Sequence, residues 1–264
     1  MTGAPAHHRV ESGVGVPILA PMSVPSAVIL TVGNEIISGD VENTNGSWIA
    51  RRLALVGIEV TLLAALRDDI AEIAPFLDRH RRDADLVFVT GGLGGTPDDL
   101  TREAVAASFG VEQAVVDDLA ASLRERFGTR GLGDYAARWA NLPVGAVPLV
   151  NPLGGAPGFM LENVYVFPGL PSEMEAMYES VEARFRGEPI GAWRRTYRTG
   201  EGQIVAILEE AGTRHPAVQV GSYPRFLVEG PEVEVVLKSY DPDALSTASE
   251  WFQQQLDVAL RTSR

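Results

Sequence analysis

The stretch DLVFVTGGLGGTPDDL, running from Asp85 to Leu100, decides how this chain folds. Residues 86–89 are an unbroken apolar run, as a strand buried on both faces requires. The run stops at Gly91, Gly92, Leu93, Gly94 and Gly95, which read as a tight loop. Thr96, Pro97, Asp98 and Asp99 then carry the marks of a helix start: a threonine N-cap, a proline at the first helical position and two acids in the first turn. Asp98 also precedes Arg102 by four residues, the spacing of a helical ion pair. Strand, glycine loop and helix in succession form the unit from which parallel sheets are built.

The same alternation extends to both sides. Residues 27–32 (AVILTV) predict a first buried strand, 33–45 a polar turn, and Trp48, Ile49, Leu53 and Val56 a helix that Gly57 stops. A second strand is expected over 58–65 and a second helix over 69–82, with Asp69 as its cap. Residues 112–141 read as helical. Short strands follow at 147–150 and 164–167, then a helix over 172–185 for which Ser172 is the expected N-cap and Glu173 a first-turn acid. Residues 186–192 read as a linker. Beyond it the order strand, helix, strand, strand, helix fills about 70 residues. The expected organisation is a flexible leader over 1–25, with Met22 a possible start, an α/β domain with a mostly parallel sheet over 26–190, and a small α+β (βαββα) domain over 194–264.

Composition narrows the chemistry. The chain has 264 residues, 45% of them hydrophobic, with a formal net charge of −13 and no cysteine. Without cysteine there are no disulfides, thiolate zinc sites or iron–sulfur clusters. That is compatible with a reducing cytoplasm, the expected location. Lys238 is the only lysine, and Leu237 stands where a P-loop needs glycine. Neither HExxH nor GxSxG occurs. No run reaches the 18 or so apolar residues of a membrane helix. Strong acidity argues against gripping a nucleic-acid backbone. The βαββα order is similar to KH-type RNA modules, but Gly200-Glu201-Gly202 is not their GXXG clamp.

Open parallel sheets bind ligands beyond the carboxyl ends of their strands. Those ends carry Asn34 and Glu35, Asn43 to Asn45, Arg67 to Asp69, Gly91 to Asp99, and Pro168 to Glu173. Gly91, Gly92, Leu93, Gly94 and Thr96 suit a phosphate, because bare backbone N–H groups approach an anion closely. Asp68, Asp98 and Asp99 are the candidate ligands of Mg²⁺ or another divalent cation, which would keep carboxylates and phosphates from repelling each other. Asp68, Asp99 and Glu35 are the candidate catalytic acids. Asn45, Ser172 and Glu173 complete the candidate binding set. Each has a purely structural alternative: helix caps for Asp69, Asp99 and Ser172, a solvated loop acid for Glu35, a plain tight turn for the glycines.

The strings TGGLGGTPDDLTREAVA (90–106), GNEIISG (33–39), NTN (43–45), RDD (67–69), NPLGGAPGF (151–159) and FPGLPSEM (167–174) resemble the molybdopterin-binding domain family, with MoaB and MogA among its members. Within it they are most similar to the N-terminal domain of the CinA (competence/damage-inducible protein A) branch. The resemblance covers nearly all of residues 26–185 in order and spacing. It implies a three-layer α/β/α fold, a phosphate-bearing nucleotide or pterin ligand, and association into a dimer or trimer. For the CinA branch it implies metal-dependent pyrophosphatase activity on ADP-ribose-like nucleotides, without the further deamidase domain. Asp68 and Asp99 match the two functional aspartates, Gly91, Gly92 and Thr96 the phosphate loop, and Glu35 the acid of the family's GDE. Asn34 and Asn43 stand where the family writes Asp, and Gly95 where it writes Pro. The alternative reading is a protein that binds molybdopterin without hydrolysing nucleotides.

Overall fold

β1 (Ser26–Val32) sits inside the larger sheet, and its side chains alternate between two cores. Val28, Leu30 and Val32 enter one; Ala27 and Ile29 enter the other. A computed structural model of the chain describes residues 24–128, 133–187 and 189–262. The expected leader and Met22 lie, up to residue 23, outside the described residues. The elements after β1 are α1 (Asn34–Ser38), α2 (Thr44–Leu55), β2 (Glu59–Leu66), α3 (Ile70–Asp83), β3 (Leu86–Thr90) and α4 (Thr101–Phe109). Then come β4 (Gln113–Val115), α5 (Asp117–Phe127), α6 (Gly133–Ala140), β5 (Asn141–Pro143), β6 (Val147–Leu149), β7 (Gly158–Leu161), β8 (Val164–Phe167) and α7 (Pro171–Val181).

The larger sheet has the order β2-β1-β3-β8-β7-β6. β2, β1, β3 and β8 run parallel, and β7 is antiparallel to both β8 and β6. α3 and α4 cover one face, burying Ile73, Leu77, Ala104 and Val105 against Val87 and Val89. α2 and α7 cover the other, burying Ile49, Leu53, Met174, Met177 and Tyr178 against Phe88, Tyr165 and Phe167. This is the expected three-layer α/β/α arrangement around a mostly parallel sheet. The second core is rich in aromatic rings: Phe88 lies edge-on to Phe185 at 5.0 Å and Trp48 edge-on to Tyr178 at 5.2 Å. Such pairs add to the area they bury.

The remaining elements are β9 (Gly191–Tyr197), α8 (Val205–Arg214), β10 (Gln219–Leu227), β11 (Gly230–Ser239) and α9 (Pro242–Thr262). They make an antiparallel sheet, β10-β11-β9, in the expected βαββα order. Val233, Val235 and Leu237 of β11 pack on Ala211 of α8 and on Phe252 and Leu256 of α9.

Several local readings need correction. No helix starts at Thr96; α4 starts at Thr101, because residues 91–99 are tied into a closed loop by their own side chains. Arg102 consequently does not meet Asp98. Its side chain is buried, and the charge turns inward to backbone carbonyls. The helical reading of 112–141 misses the short β4–β5 pairing that closes the α5–α6 excursion. The polar turn after β1 contains the short α1. The four-residue β7, too short for a periodicity to show, lies between two expected strands. Ser172 is not the cap of α7; Leu170 occupies that position and Pro171 opens the helix.

Candidate functional site

Five strand ends point to one edge of the larger sheet. Besides β1, β2, β3 and β8, β6 runs the same way, because two antiparallel steps restore its direction. The chain leaves β1 for β2 on one side and returns to β3 on the other, so the crossover direction reverses between β1 and β3. Ligand crevices form at such a reversal. A small cavity of about 70 Å³ opens there, lined by Thr31, Glu35, Asn43, Asn45, Thr90, Gly91 and Gly169 among others.

Its floor is built by close backbone approach. Gly91 has φ 103°, and a Cβ on it would lie 2.0 Å from the Val32 carbonyl oxygen. Only glycine fits between these strand ends. Asn45, in the first turn of α2, donates through Nδ2 to Thr90 Oγ1 at 2.9 Å and to the Gly169 carbonyl at 2.8 Å. The Thr90 hydroxyl in turn donates to the Pro168 carbonyl at 2.8 Å. The ends of β3 and β8 are thereby tied to α2. Asn45 is 7% exposed, and its buried Oδ1 has no hydrogen-bond partner among the described residues. A buried acceptor left open beside a cavity is a place for a ligand donor.

The loop after β3 is held from two sides. Asp99 Oδ1 accepts the Gly94 N–H at 2.8 Å, and Asp99 Oδ2 accepts the Thr96 N–H at 2.8 Å and its hydroxyl at 2.5 Å. On the carbonyl side, Thr101 donates to Gly91 O, Arg102 to Leu93 O at 2.8 Å and Gly94 O at 2.7 Å, and Arg138 of α6 to Thr96 O at 2.7 Å. Carbonyls turned inward leave N–H groups turned outward. Among the described residues those of Gly92, Leu93 and Gly95 have no protein acceptor. Leu93 is buried as a whole residue, 1% exposed, with its side chain in the core, so the accessible N–H groups of the loop are those of Gly92 and Gly95.

The acids gather around this loop. Asp68, just past β2, accepts the Asn34 N–H through Oδ2 at 2.9 Å. Its carboxyl is pushed above the usual range, first by burial and then by the negative charges of Glu35, Asp98 and Asp99, against the lowering effect of the Asn34 bond. The strand ends thus bring Glu35, Asp98 and Asp99 within electrostatic reach of Asp68. Asp69 caps α3, accepting the Ala71 N–H at 2.8 Å, as its structural reading required. Ser172 is exposed in the first turn of α7. Glu173 turns to the loop after β6, where Asn151 Nδ2 donates to its Oε2 at 2.9 Å.

The two asparagines that depart from the family pattern have structural work. Asn43 is the N-cap of α2: its Oδ1 accepts the Gly46 N–H at 3.0 Å and the Thr31 hydroxyl at 2.9 Å. Asparagine serves there as well as aspartate. Asn34 contributes its backbone to Asp68 and leaves its side chain exposed. Sequence reasoning gave Arg102 only a surface ion pair and missed Arg138. Arg138 is 42 residues from the carbonyl it holds, so no local spacing marks it.

Comparison with known proteins shows the family. Residues 28–186 match the family model described as a probable molybdopterin binding domain. The chain belongs to this family. Residues 196–262 match a second model, the middle domain of FAD synthase. A protein of Pyrobaculum calidifontis is 35% identical over 232 residues, covering 83% of this chain and 88% of that one. A CinA-like protein of Frankia casuarinae is 36% identical over 254 residues, covering 90% of this chain and 58% of that protein, so the family member described here spans little more than half its length. The crystal structure of CinA from Thermoplasma acidophilum, a protein described as of unknown function, superposes with a TM-score of 0.59 at 33% identity, covering 61% of this chain and 98% of that one.

Proposed function

We propose that this family member is a divalent-cation-dependent nucleotide pyrophosphatase acting on ADP-ribose-like substrates. The observation that carries the reading is the grouping of Glu35, Asp98 and Asp99 around Asp68 beside outward-facing loop N–H groups, with the Asp68 carboxyl raised by burial first and by those charges second. Acids that repel one another next to an anion cradle call for a bridging cation. No group of three or more acids among the described residues is arranged to hold a metal by itself. Mg²⁺ is commonly shared between one or two carboxylates and substrate phosphate oxygens. Both Asp99 oxygens are engaged in the loop, so Asp68 and Asp98 would hold the ion. Bound there, the cation would neutralise phosphate charge and acidify a coordinated water.

The chain's own groups supply the rest. The Gly92 and Gly95 N–H groups hold phosphate oxygens. Asp99 keeps the loop in its anion-ready shape. Glu35, exposed on the cavity rim, accepts a proton from the attacking water. The match to the FAD synthase middle domain supports a nucleotide-related role. The substrate is a small molecule rather than a nucleic acid, and the expected location is cytoplasmic. No helix among the described residues is long and apolar enough to cross a membrane. Leu55, Leu62 and Leu63, exposed at 71%, 36% and 41% on and beside edge strand β2, support association into a homo-oligomer. Incubation of the purified protein with ADP-ribose, FAD and NAD, with Mg²⁺ or Mn²⁺, tests the activity. Metal-dependent release of mononucleotide is expected, and no turnover of any of the three would refute it.

A second reading, binding of molybdopterin without hydrolysis, is favoured by one feature. The open buried acceptor Asn45 Oδ1 suits a ring N–H donor better than a phosphate. Native mass spectrometry of protein from a cofactor-producing host separates the readings, since bound pterin supports the second and bound nucleotide the first.

A further inference from the structure

Arg102 is the largest fully buried side chain among the described residues, and its cation has no carboxylate within ion-pair distance there. Its guanidinium donates to two consecutive carbonyls, Leu93 O at 2.8 Å and Gly94 O at 2.7 Å. Its sequence neighbour Glu103 pairs instead with Arg138, at 3.8 Å. The direct partners of the Arg102 charge are neutral, and the negative charges of Glu103 and Asp99 compensate it only from a distance.

The Gly94 carbonyl and the Gly95 N–H belong to one planar trans peptide, so they point in opposite directions. With the carbonyl held on the buried guanidinium, the N–H faces away from the core. It has no protein acceptor among the described residues, whereas the N–H groups on either side of it are both taken by Asp99. A peptide group polarised at its oxygen by a cation becomes a stronger donor at its nitrogen.

We propose that Arg102 and Gly95 form one anion-binding device, in which the buried guanidinium polarises the Gly94–Gly95 peptide and the Gly95 N–H binds a phosphate oxygen of the ligand. Arg102 is a positioning residue that never touches the ligand. A bound phosphate adds to the negative charge of Glu103 and Asp99 that already acts on the guanidinium. Proline at this position, as the family pattern has it, removes the donor. The device rests on the reading that the loop takes a phosphate group, but not on hydrolysis.

Calorimetric titration with inorganic pyrophosphate in the presence of Mg²⁺ tests it without any turnover. Gly95→Ala keeps the N–H and should bind within about threefold of wild type, whereas Gly95→Pro should bind about tenfold more weakly, the scale of one hydrogen bond to a charged group. Arg102→Gln keeps a donor for the loop but loses the charge, and should weaken binding about tenfold or more; Arg102→Lys, which keeps the charge, should recover most of it. In the double variant Gly95→Pro/Arg102→Gln the losses should fall short of their product, because the second change acts through a donor already removed. If Arg102→Gln does not fold, the Gly95 pair still decides. Equal affinities for Gly95→Ala and Gly95→Pro, or strictly multiplicative losses, or no pyrophosphate binding by the wild type, overturn the proposal. Binding with the expected pattern but no nucleotide hydrolysis would sink the pyrophosphatase reading and leave the device standing.

Discussion

Asp99 and Thr96 are joined by two hydrogen bonds, the Thr96 N–H and hydroxyl both donating to Asp99 Oδ2, at 2.8 and 2.5 Å. With Gly94 N–H on the other carboxylate oxygen, one side chain closes the whole loop. Asp99→Asn turns an amide N–H₂ toward a backbone donor and leaves at least one bond unmade. It should lower stability by about 2–3 kcal/mol, the scale for hydrogen bonds to a charged group. Affinity for phosphate ligands should fall in parallel, because loop shape and anion binding are the same property here. A thermal melt and a binding titration on one variant check this. Unchanged stability with lost activity would show that Asp99 reacts with substrate rather than shaping the loop.

Asp68 is expected to trade stability for function. Its folded carboxyl sits above the ordinary range, so the fold favours the protonated form. The contribution of this group is therefore full below the unfolded value of about 4 and is lost as pH rises through the folded value. Asp68→Asn should melt higher than wild type at pH 7. The advantage should vanish toward pH 4. Mg²⁺ should raise the wild-type melt and leave the variant unmoved. A lower melt for the variant at pH 7 would contradict this.

Restoring the family's carboxylates separates two kinds of position. Asn43→Asp replaces one good N-cap by another and should stay within about 0.5 kcal/mol of wild type. Asn34→Asp adds a charge beside Asp68 and Glu35. It should melt lower without divalent ions and show a larger rise when Mg²⁺ is added. Melting curves with and without Mg²⁺ distinguish the two.

Tyr178 gives the alkaline limit of stability. Its ring is wholly buried, its hydroxyl has no partner, and burial pushes its titration well above the ordinary tyrosine value, with Glu182 adding to the rise. The fold favours the neutral phenol, so this contribution is full below about pH 10 and is lost as pH climbs above it. Tyr178→Phe should match or exceed wild-type stability at pH 7, by up to about 1 kcal/mol, since it removes an unsatisfied polar atom. It should also soften the loss above pH 10. Some alkaline loss will remain from Tyr197 and Tyr240, whose hydroxyls are likewise raised by burial.

The amino-acid order alone determined the architecture of this protein and the edge on which its chemistry lies. Apolar runs at β1 and β3, too continuous for a half-exposed strand, require cover on both faces, and the helices between them supply it. Glycine at 91 is needed because a Cβ would strike the Val32 carbonyl, and that pressure is legible as a glycine string at a strand end. Only the tertiary structure decided what each polar side chain does there. A carboxylate in a loop reads alike whether it caps a helix, closes the loop or faces a ligand, because the difference lies in donors brought in by other segments. Asp99 takes its partners from within its own loop, Asp68 from the end of another strand, and Asn45 from residues 45 and 124 positions away. Arg102 shows the limit most plainly. Its spacing from Asp98 promised a surface ion pair, but folding buried the guanidinium under the loop, where backbone carbonyls a few residues back had no other donor.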